Sequence, residues 1–277
     1  MKGIISTVVV LLFAFAFLGV YLAYTGYILS DANSVSRASP LSYPEYYSED
    51  LSADIASYTA LCAVSRSGQN ISMAITDYFP RTGVSPALDS YESFIEGNYS
   101  NSTGYGIRLN LTPMRDGSYE IEFSDGNFYS HDYNSSLVQS ALFSTNGTST
   151  GLQEIVINVS AQGTRIGIIP WTWNPSGDTG VVVFYSDSNG TYNDSGRISS
   201  SALSTYTFLL QNASVVLTYG LLPKQGSLGF IATNAPARLE LNLTMQNQSE
   251  LSYWYNATAS YSRGSLGRNV PLLIGKS

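Results

Sequence analysis

From residue 104 to residue 277, apolar and polar residues alternate in one run after another, and this period of two is typical of β-strands with one buried face. The clearest runs are Ile107–Leu111, Tyr119–Phe123, Ile155–Val159, Leu239–Leu243 and Leu251–Ala259. Segments 181–185, 206–210, 215–219 and 228–231 are also strand-like, and Asp116-Gly117, Asp125-Gly126 and Asn189-Gly190 are turn signals. Many short strands without helices between them predict a mainly β fold, with an antiparallel β-sandwich-like domain over residues 104–277.

Asparagine is used unevenly in this chain. Of the 18 asparagines, 13 open an Asn-x-Ser/Thr sequon, whereas a chain with 42 Ser and 20 Thr in 277 residues would place about four by chance. We interpret most of them as glycan acceptors, which requires an external or oxidising compartment. The sequon asparagines are Asn70, Asn98, Asn101, Asn110, Asn134, Asn146, Asn158, Asn189, Asn193, Asn212, Asn242, Asn247 and Asn256.

Some sequons fall inside predicted strands, between two apolar residues. Because alternate side chains of a strand point to opposite faces, these asparagines are expected to point away from the core, with the sequon hydroxyl on the same face. The four pairs are Asn110 and Thr112, Asn158 and Ser160, Asn242 and Thr244, and Asn256 and Thr258.

The number of cysteines and the charge balance further limit the class of protein to which this chain can belong. Cys62 is the only cysteine, so no internal disulfide can form, and many sequons without disulfides favour an archaeal surface protein. The chain has 12% charged residues, a net charge of −7 and a pI near 4.6. No basic patch is available to bind phosphates, which argues against a nucleic-acid partner.

The N-terminal segment is long and apolar. No charged residue occurs from Gly3 to Ser30, and residues 4–24 would form a helix of roughly 30 Å, about the thickness of the hydrocarbon core of a bilayer. Lys2 precedes this span and Asp31 follows it, which predicts a single pass with residues 31–277 outside. The alternatives are retention as a plain signal anchor, or cleavage at Ser30-Asp31-Ala32.

The residues around Lys2 resemble a processing site. The run KGIISTVV resembles the class III signal of archaeal type IV pilin-like proteins, typically KGQISTEY, and matches it at Lys2, Gly3, Ile5, Ser6 and Thr7. The resemblance covers about 30 residues and implies a cut between Gly3 and Ile4, with the apolar helix serving as a filament core among identical or related subunits. The run departs from the typical signal at Ile4, Val8 and Val9, and Val8 lacks the carboxylate that is thought to pair with a neighbouring subunit's amino terminus.

Between the span and the β domain, residues 31–41 are predicted to be a linker and residues 42–103 a helical segment that packs on the β domain. A capping box at Ser42 and Glu45 starts a helix that is expected to end near Gly68 and to bury Cys62 as a structural thiol. A second helix is expected to start at Ser85-Pro86 and to end at Gly97.

The chain has no strong catalytic motif. His131 is the only histidine and is interpreted as a surface or structural residue, so no metal site is expected. The run from Asn193 to Gly196 is predicted to be a turn, and the pair Glu120 and Glu122 to be outward and solvated. We therefore expect neither a cofactor nor an enzymatic activity.

Trp171 and Trp173 are the most suggestive binding residues, because exposed tryptophans can stack on sugars or on partner proteins. If they point inward, they fill one end of the β domain instead. The leading hypothesis is an anchored, pilin-like surface glycoprotein with a structural or adhesive role. A membrane-anchored module that binds carbohydrate or envelope components is the second, and a glycan-processing enzyme the third.

Overall fold

The computed structural model describes residues 47–276 apart from 49, 56–60, 80–83, 116, 134–137, 147–151, 222–223 and 247–249. Ser48–Ser277 forms one compact unit. The predicted membrane span, the processing site and the linker at 31–41 lie outside the described residues. Within the described part of the chain, no helix is both long and apolar enough to cross a membrane.

The fold is mainly β, as the alternating pattern predicts. The strands are β1 Leu61–Ser67, β2 Asn70–Phe79, β3 Gly106–Asn110, β4 Tyr119–Phe123, β5 Phe128–Tyr133, β6 Val138–Ser144, β7 Leu152–Ala161, β8 Arg165–Ile169, β9 Thr179–Asp187, β10 Gly190–Ile198, β11 Ser204–Leu210, β12 Ala213–Gly220, β13 Ser227–Thr233, β14 Ala237–Gln246, β15 Ser252–Arg263 and β16 Leu266–Lys276. The helices are α1 (residues 50–55), α2 Val84–Phe94, α3 Ser100–Thr103 and α4 Thr112–Arg115.

The strands form two sheets. The six-stranded sheet has the order β1-β2-β14-β7-β9-β10. The ten-stranded sheet has the order β16-β15-β4-β5-β6-β13-β12-β11-β8, with β3 paired to β15 beside β4. All the predicted turn dipeptides that the structure describes in full, Asp125-Gly126 and Asn189-Gly190, connect neighbouring antiparallel strands.

The inner faces of the two sheets pack against each other through large side chains. Tyr185 of the six-stranded sheet stacks on Phe208 of the ten-stranded sheet, with 3.9 Å between ring centroids. Phe79 and Phe230 make a second contact of this kind at 4.6 Å. Because β2, β7, β9 and β14 alternate between buried and more exposed residues, each contributes one face to this core.

One strand pair departs from the antiparallel prediction. β7 and β9 run parallel, with Ile155 opposite Val181 and Ile157 opposite Val183. Between them in sequence, β8 pairs with β11 in the other sheet. The chain therefore leaves the six-stranded sheet after β7 and re-enters it in the same direction, which a direct hairpin could not do.

The segment at 42–103 is only partly helical, so its prediction as a helical segment needs correction. α1 buries Leu51 and Ile55, but β1 and β2 follow as two strands of the six-stranded sheet. Cys62 therefore lies in β1 rather than on a helix. The helical spacing of apolar residues before Gly68 is misleading here, because pairing with β2 determines the conformation of residues 61–67.

The second helical region begins close to the predicted start, at Val84, but continues past Gly97. A π-helical turn at Ile95–Tyr99 joins α2 to α3, and Gly104 ends the helix with a left-handed φ of 70°. Leu88 and Ile95 are buried. Gly97 does not end the helix because the π turn continues the backbone hydrogen bonding through it, and Gly104 is the first glycine after α2 with a positive φ.

Candidate functional site: the outer faces of the two sheets

Of the sequon asparagines, all but Asn134 and Asn247 lie in the described part of the chain, and none of those described is buried. Three of them are half-buried, namely Asn146, Asn158 and Asn256, and the other eight are exposed. The apolar residues on either side of Asn158 and Asn242 are buried, so the predicted alternation of these strands is confirmed.

Of the other two strand sequons, that of Asn110 departs from its predicted geometry, whereas Asn256 and Thr258 alternate with buried residues as predicted. Thr112 lies in α4, so it does not share a strand face with Asn110; its backbone N–H lies 3.4 Å from the Asn110 side-chain oxygen. Asn256 accepts a hydrogen bond from the backbone N–H of Glu120 at 3.0 Å. It lies where β15 stops pairing with β4 and starts pairing with β3, so its side chain supports the junction.

The outer face of the six-stranded sheet, which we call the sequon face, carries sequons on four strands. The sequon asparagines that point to this side are Asn70 of β2, Asn242 of β14, Asn158 of β7 and Asn193 of β10. Asn193 lies on β10 rather than in the predicted turn, because β10 continues from Gly190 to Ile198 along β9. Since β10 is an edge strand, a glycan on Asn193 would also shield unpaired backbone groups.

A cleft of about 550 Å³ lies on the sequon face. One row across it runs Glu240, Asn158, Phe184 and Asn193, each residue directly opposite the next. The neighbouring row is polar and is formed by Arg238, Ser160, Ser186 and Thr191. Phe184 is 43% exposed, and it is the one aromatic ring that points outward among these eight residues.

The outer face of the ten-stranded sheet is different, and we call its portion on β6, β13, β12, β11 and β8 the bare face. None of these strands contains a sequon asparagine, and their only charged residue is Arg165. The exposed Asn212 lies in the turn between β11 and β12, and Ser214 of its sequon lies in β12. One outward row contains Ser140, Ile231, Val216, Thr207 and Ile169. Ile231 is 37% and Ile169 is 55% exposed, so this face is uncharged and partly apolar.

The tryptophan pair lies at the edge of the core. Trp171 is 3% exposed and packs edge-on against Trp173 and Tyr206, with ring centroids 5.8 Å and 5.2 Å away. Trp173 is half-buried and donates its indole N–H to Asp194 at 3.2 Å. Its ring passes so close to Gly196 that a Cβ there would lie 2.5 Å from it. Trp171 therefore points inward, which was the second of the two predicted positions, and of this pair only Trp173 reaches the surface.

Tyr206 connects this aromatic cluster to polar groups. Its hydroxyl lies 3.2 Å from the Asp194 carboxylate and 3.1 Å from the Tyr192 hydroxyl. Burial, together with these neighbours, raises the pKa of Tyr206 well above its usual value. The phenol is therefore neutral at any physiological pH and acts as a hydrogen-bond donor that positions Asp194.

A buried polar cluster in the core was not predicted. Asp77 of β2 accepts hydrogen bonds from Tyr129 Oη and from His131 Nδ1 of β5, each at 2.7 Å. His131 stacks between Phe79 and Tyr119 and is 1% exposed, as is Asp77. The cluster joins the two sheets and lies out of reach of a substrate, so His131 is a structural residue of the core rather than a surface one.

The other titratable candidates, the pair Glu120 and Glu122 and the thiol of Cys62, are partly buried by the fold. Glu120 and Glu122 are half-buried rather than solvated, and Trp254 donates its indole N–H to Glu122 at 2.8 Å. Burial and then the charge of Glu122 raise the pKa of Glu120. Cys62 is half-buried, and burial raises the pKa of its thiol to about 12, so the reactive thiolate is suppressed.

Comparisons of the chain with models of protein families, with curated proteins and with solved structures found no match. Among the residues that the structure describes, no three metal-ligating side chains converge on one point. The two outer faces, with the residues that line them, are the features of the described structure that bear on function.

Proposed function

We propose that this chain is an archaeal cell-surface glycoprotein of pilin-like design, with a structural or adhesive role. Its sandwich-like domain is displayed outside the cell and carries glycans, and the N-terminal hydrophobic helix anchors it or assembles it. The observation that carries this proposal is the unequal distribution of sequons. Four sequon asparagines lie on the sequon face, and the strands of the bare face contain none.

This distribution fits a protein that presents one face to the surroundings and the other to a neighbour. A glycan on each of Asn158, Asn193 and Asn242 would cover the sequon face with polar sugars. The strands of the bare face contain no sequon asparagine, and their one charged residue, Arg165, lies 3.8 Å from the Asp187 carboxylate and is already paired. The resemblance of KGIISTVV to a class III signal supports the same reading.

We expect the protein purified from its native host to carry several glycans and to begin at Ile4. Its intact mass should exceed that of the polypeptide by several glycan units, and N-terminal sequencing should begin with Ile4-Ile5-Ser6. Gly3→Val should abolish the cut, because the class III signal requires a small residue before it. The glycans and the new N-terminus are read from the same preparation.

The two results test separate parts of the proposal. A mass equal to that of bare polypeptide would remove the main support for an external, glycosylated domain. A native chain that starts at Met1 would leave a plain signal anchor and defeat the pilin-like part alone. A chain that starts near Asp31 would defeat both forms of membrane attachment.

The neighbour that best fits the bare face is a second copy of this chain. The chain has a net charge of −7, so two copies repel each other over most surfaces. On the large sheet surface of the bare face, two copies meet without placing like charges against each other. Ile231, Val216 and Ile169 would then be removed from water by the same residues of the other copy.

We expect Ile231→Asp to weaken self-association of the full chain in detergent by at least tenfold, because it places a carboxylate in an apolar contact. Ala74→Asp is the matched control, since Ala74 is an exposed residue on the sequon face. Sedimentation at several protein concentrations measures both variants. Equal association of the wild type, Ile231→Asp and Ala74→Asp would contradict the assignment of this face.

A second candidate function is a membrane-anchored module that binds carbohydrate or envelope components. The cleft on the sequon face favours it, because Phe184 lies exposed among polar side chains, an arrangement suited to sugar rings. Trp171 is too buried to take part. This candidate requires the cleft to be open to a free ligand.

A further inference from the structure

Phe184 lies at the centre of the cleft with a glycan acceptor on each side. It is opposite Asn158 in the parallel pair β7 and β9, and opposite Asn193 in the antiparallel pair β9 and β10. Because neighbouring strands lie about 4.8 Å apart, the two asparagines are roughly 10 Å apart across the ring. Both asparagines also line the cleft.

The exposure of this ring needs a physical explanation. Phe184 is 43% exposed at the middle of a strand whose buried residues face the other way. Its neighbours in the next row, Ser186 and Ser160, are polar, and the Ser186 hydroxyl donates to that of Ser160 at 3.0 Å. Because 43% of Phe184 stays exposed beside these hydroxyls, part of the ring is available to a partner with an apolar face of its own.

We propose that the N-linked sugars on Asn158 and Asn193 pack on the Phe184 ring and fill the cleft. A pyranose ring has an apolar C–H face that complements the face of an aromatic ring, and its hydroxyls can bond to Arg238, Glu240 and Ser186 around it. This inference rests on the proposed glycosylation of the chain. It makes the cleft an internal support for the glycan coat instead of a site for a free ligand.

The geometry selects these two acceptors over the other two on the same face, Asn70 and Asn242. Asn70 has Ser67 and Gln246 as its cross-strand neighbours. Asn242 has Ala74 and Val156 as its cross-strand neighbours, so no aromatic ring lies beside it. Among the exposed large apolar residues paired in the described sheets, Tyr78, Ile169, Ile231 and Leu266 lack an acceptor as a cross-strand partner. Asn158 lies 3.5 Å from Glu240 through its amide nitrogen, a contact that a glycosylated amide can keep with its remaining N–H.

The test removes the glycans without changing the asparagines. Ser160→Ala and Ser195→Ala together destroy the sequons of Asn158 and Asn193, and Thr244→Ala destroys that of Asn242 as the matched control. Each is made in the wild type and in Phe184→Ala, and the full chain is purified from the native host in detergent. Glycopeptide mass spectrometry reports occupancy at each asparagine, and thermal unfolding reports the midpoint temperature.

We expect occupied sites at Asn158 and Asn193, and a midpoint lowered by about 2–4 °C when both sequons are removed in the presence of Phe184. In the Phe184→Ala background, the same removal should have a much smaller effect. Loss of the Ser186 to Ser160 hydrogen bond occurs in both backgrounds and cancels in the comparison. Thr244→Ala should change the midpoint equally with and without Phe184.

Three results would overturn the inference. The first is an equal effect of the Ser160 and Ser195 changes in both backgrounds. The second is glycans elsewhere on the chain with Asn158 and Asn193 bare, which leaves the proposed function intact. If bare Asn158 and Asn193 are accompanied by binding of the protein's own released glycans to the cleft, an external sugar is the occupant. The third is a chain without any glycan, which would overturn the proposed function as well.

Discussion

Leu241→Asp is expected to unfold the β domain, whereas Asn242→Asp is expected to leave it folded. Leu241 is 2% exposed in β14, and its replacement removes a core side chain and places a carboxylate among apolar residues. The combined cost is roughly 4 kcal/mol or more, a large part of the 5–15 kcal/mol by which a typical domain is stable. Thermal unfolding followed by circular dichroism measures the loss.

Asn242 is the matched control because it is the next residue of the same strand and is exposed. Its change to Asp introduces the same side chain at a solvated position, where the expected effect is within about 0.5 kcal/mol. The comparison isolates the strand face from the chemistry of the substituent. If both variants were destabilised equally, the register of β14 described above would be wrong.

Asp77→Ala is expected to destabilise the domain by roughly 3–5 kcal/mol, because it leaves two buried polar groups without their acceptor. These are the Tyr129 hydroxyl and His131 Nδ1, both 2.7 Å from the Asp77 carboxylate. The cluster also joins β2 of one sheet to β5 of the other, so its loss weakens the contact between the sheets. Urea unfolding at neutral pH gives the change in free energy.

Two variants separate the cluster from ordinary charge effects. Asp132→Ala removes an exposed carboxylate from β5, next to His131, and should cost less than about 0.5 kcal/mol. Tyr129→Phe removes one of the donors and should cost about 1–2 kcal/mol, less than the loss of Asp77. A small effect of Asp77→Ala, similar to that of Asp132→Ala, would show that the cluster does not hold the sheets together.

The strand pattern after residue 104 was predictable because each of these strands has one face in the core and one outside. The runs around Ile121, Ile157 and Leu241 keep a strict period of two, and the structure confirms them as β4, β7 and β14. The outward position of Asn158 and Asn242 follows from the same alternation. Local sequence carries this information since neighbouring residues alone decide which side of a strand is apolar.

Residues 61–79 were harder to assign because their strand conformation depends on distant partners. β2 pairs with β14, whose residues are about 170 positions later in the chain. A helical spacing of apolar residues before Gly68 competes with that pairing, and the pairing prevails. The burial of His131 was missed for a related reason, since its partner Asp77 lies 54 residues away and on the other sheet.

The candidate site was also predictable only in part from the sequence. The sequons of Asn158, Asn193 and Asn242 are read directly from the sequence, yet the exposed ring of Phe184 lies within the run Val181–Tyr185, which reads as an apolar strand. Only the pairing of β7, β9 and β10 brings the two acceptors to either side of that ring. The buried position of Trp171 likewise follows from Tyr206 and Trp173 packing against it.

The sequence by itself therefore determined the β class of the domain, the outward direction of its strand sequons and the apolar N-terminal run, because each depends on the order of neighbouring residues. The tertiary structure alone decided which strands share a sheet, that β7 and β9 are parallel, and that the outer face of the six-stranded sheet carries sequons on four strands while β6, β13, β12, β11 and β8 contain no sequon asparagine. These depend on contacts between residues far apart in the chain, and the free energy of such contacts is not encoded in any local pattern.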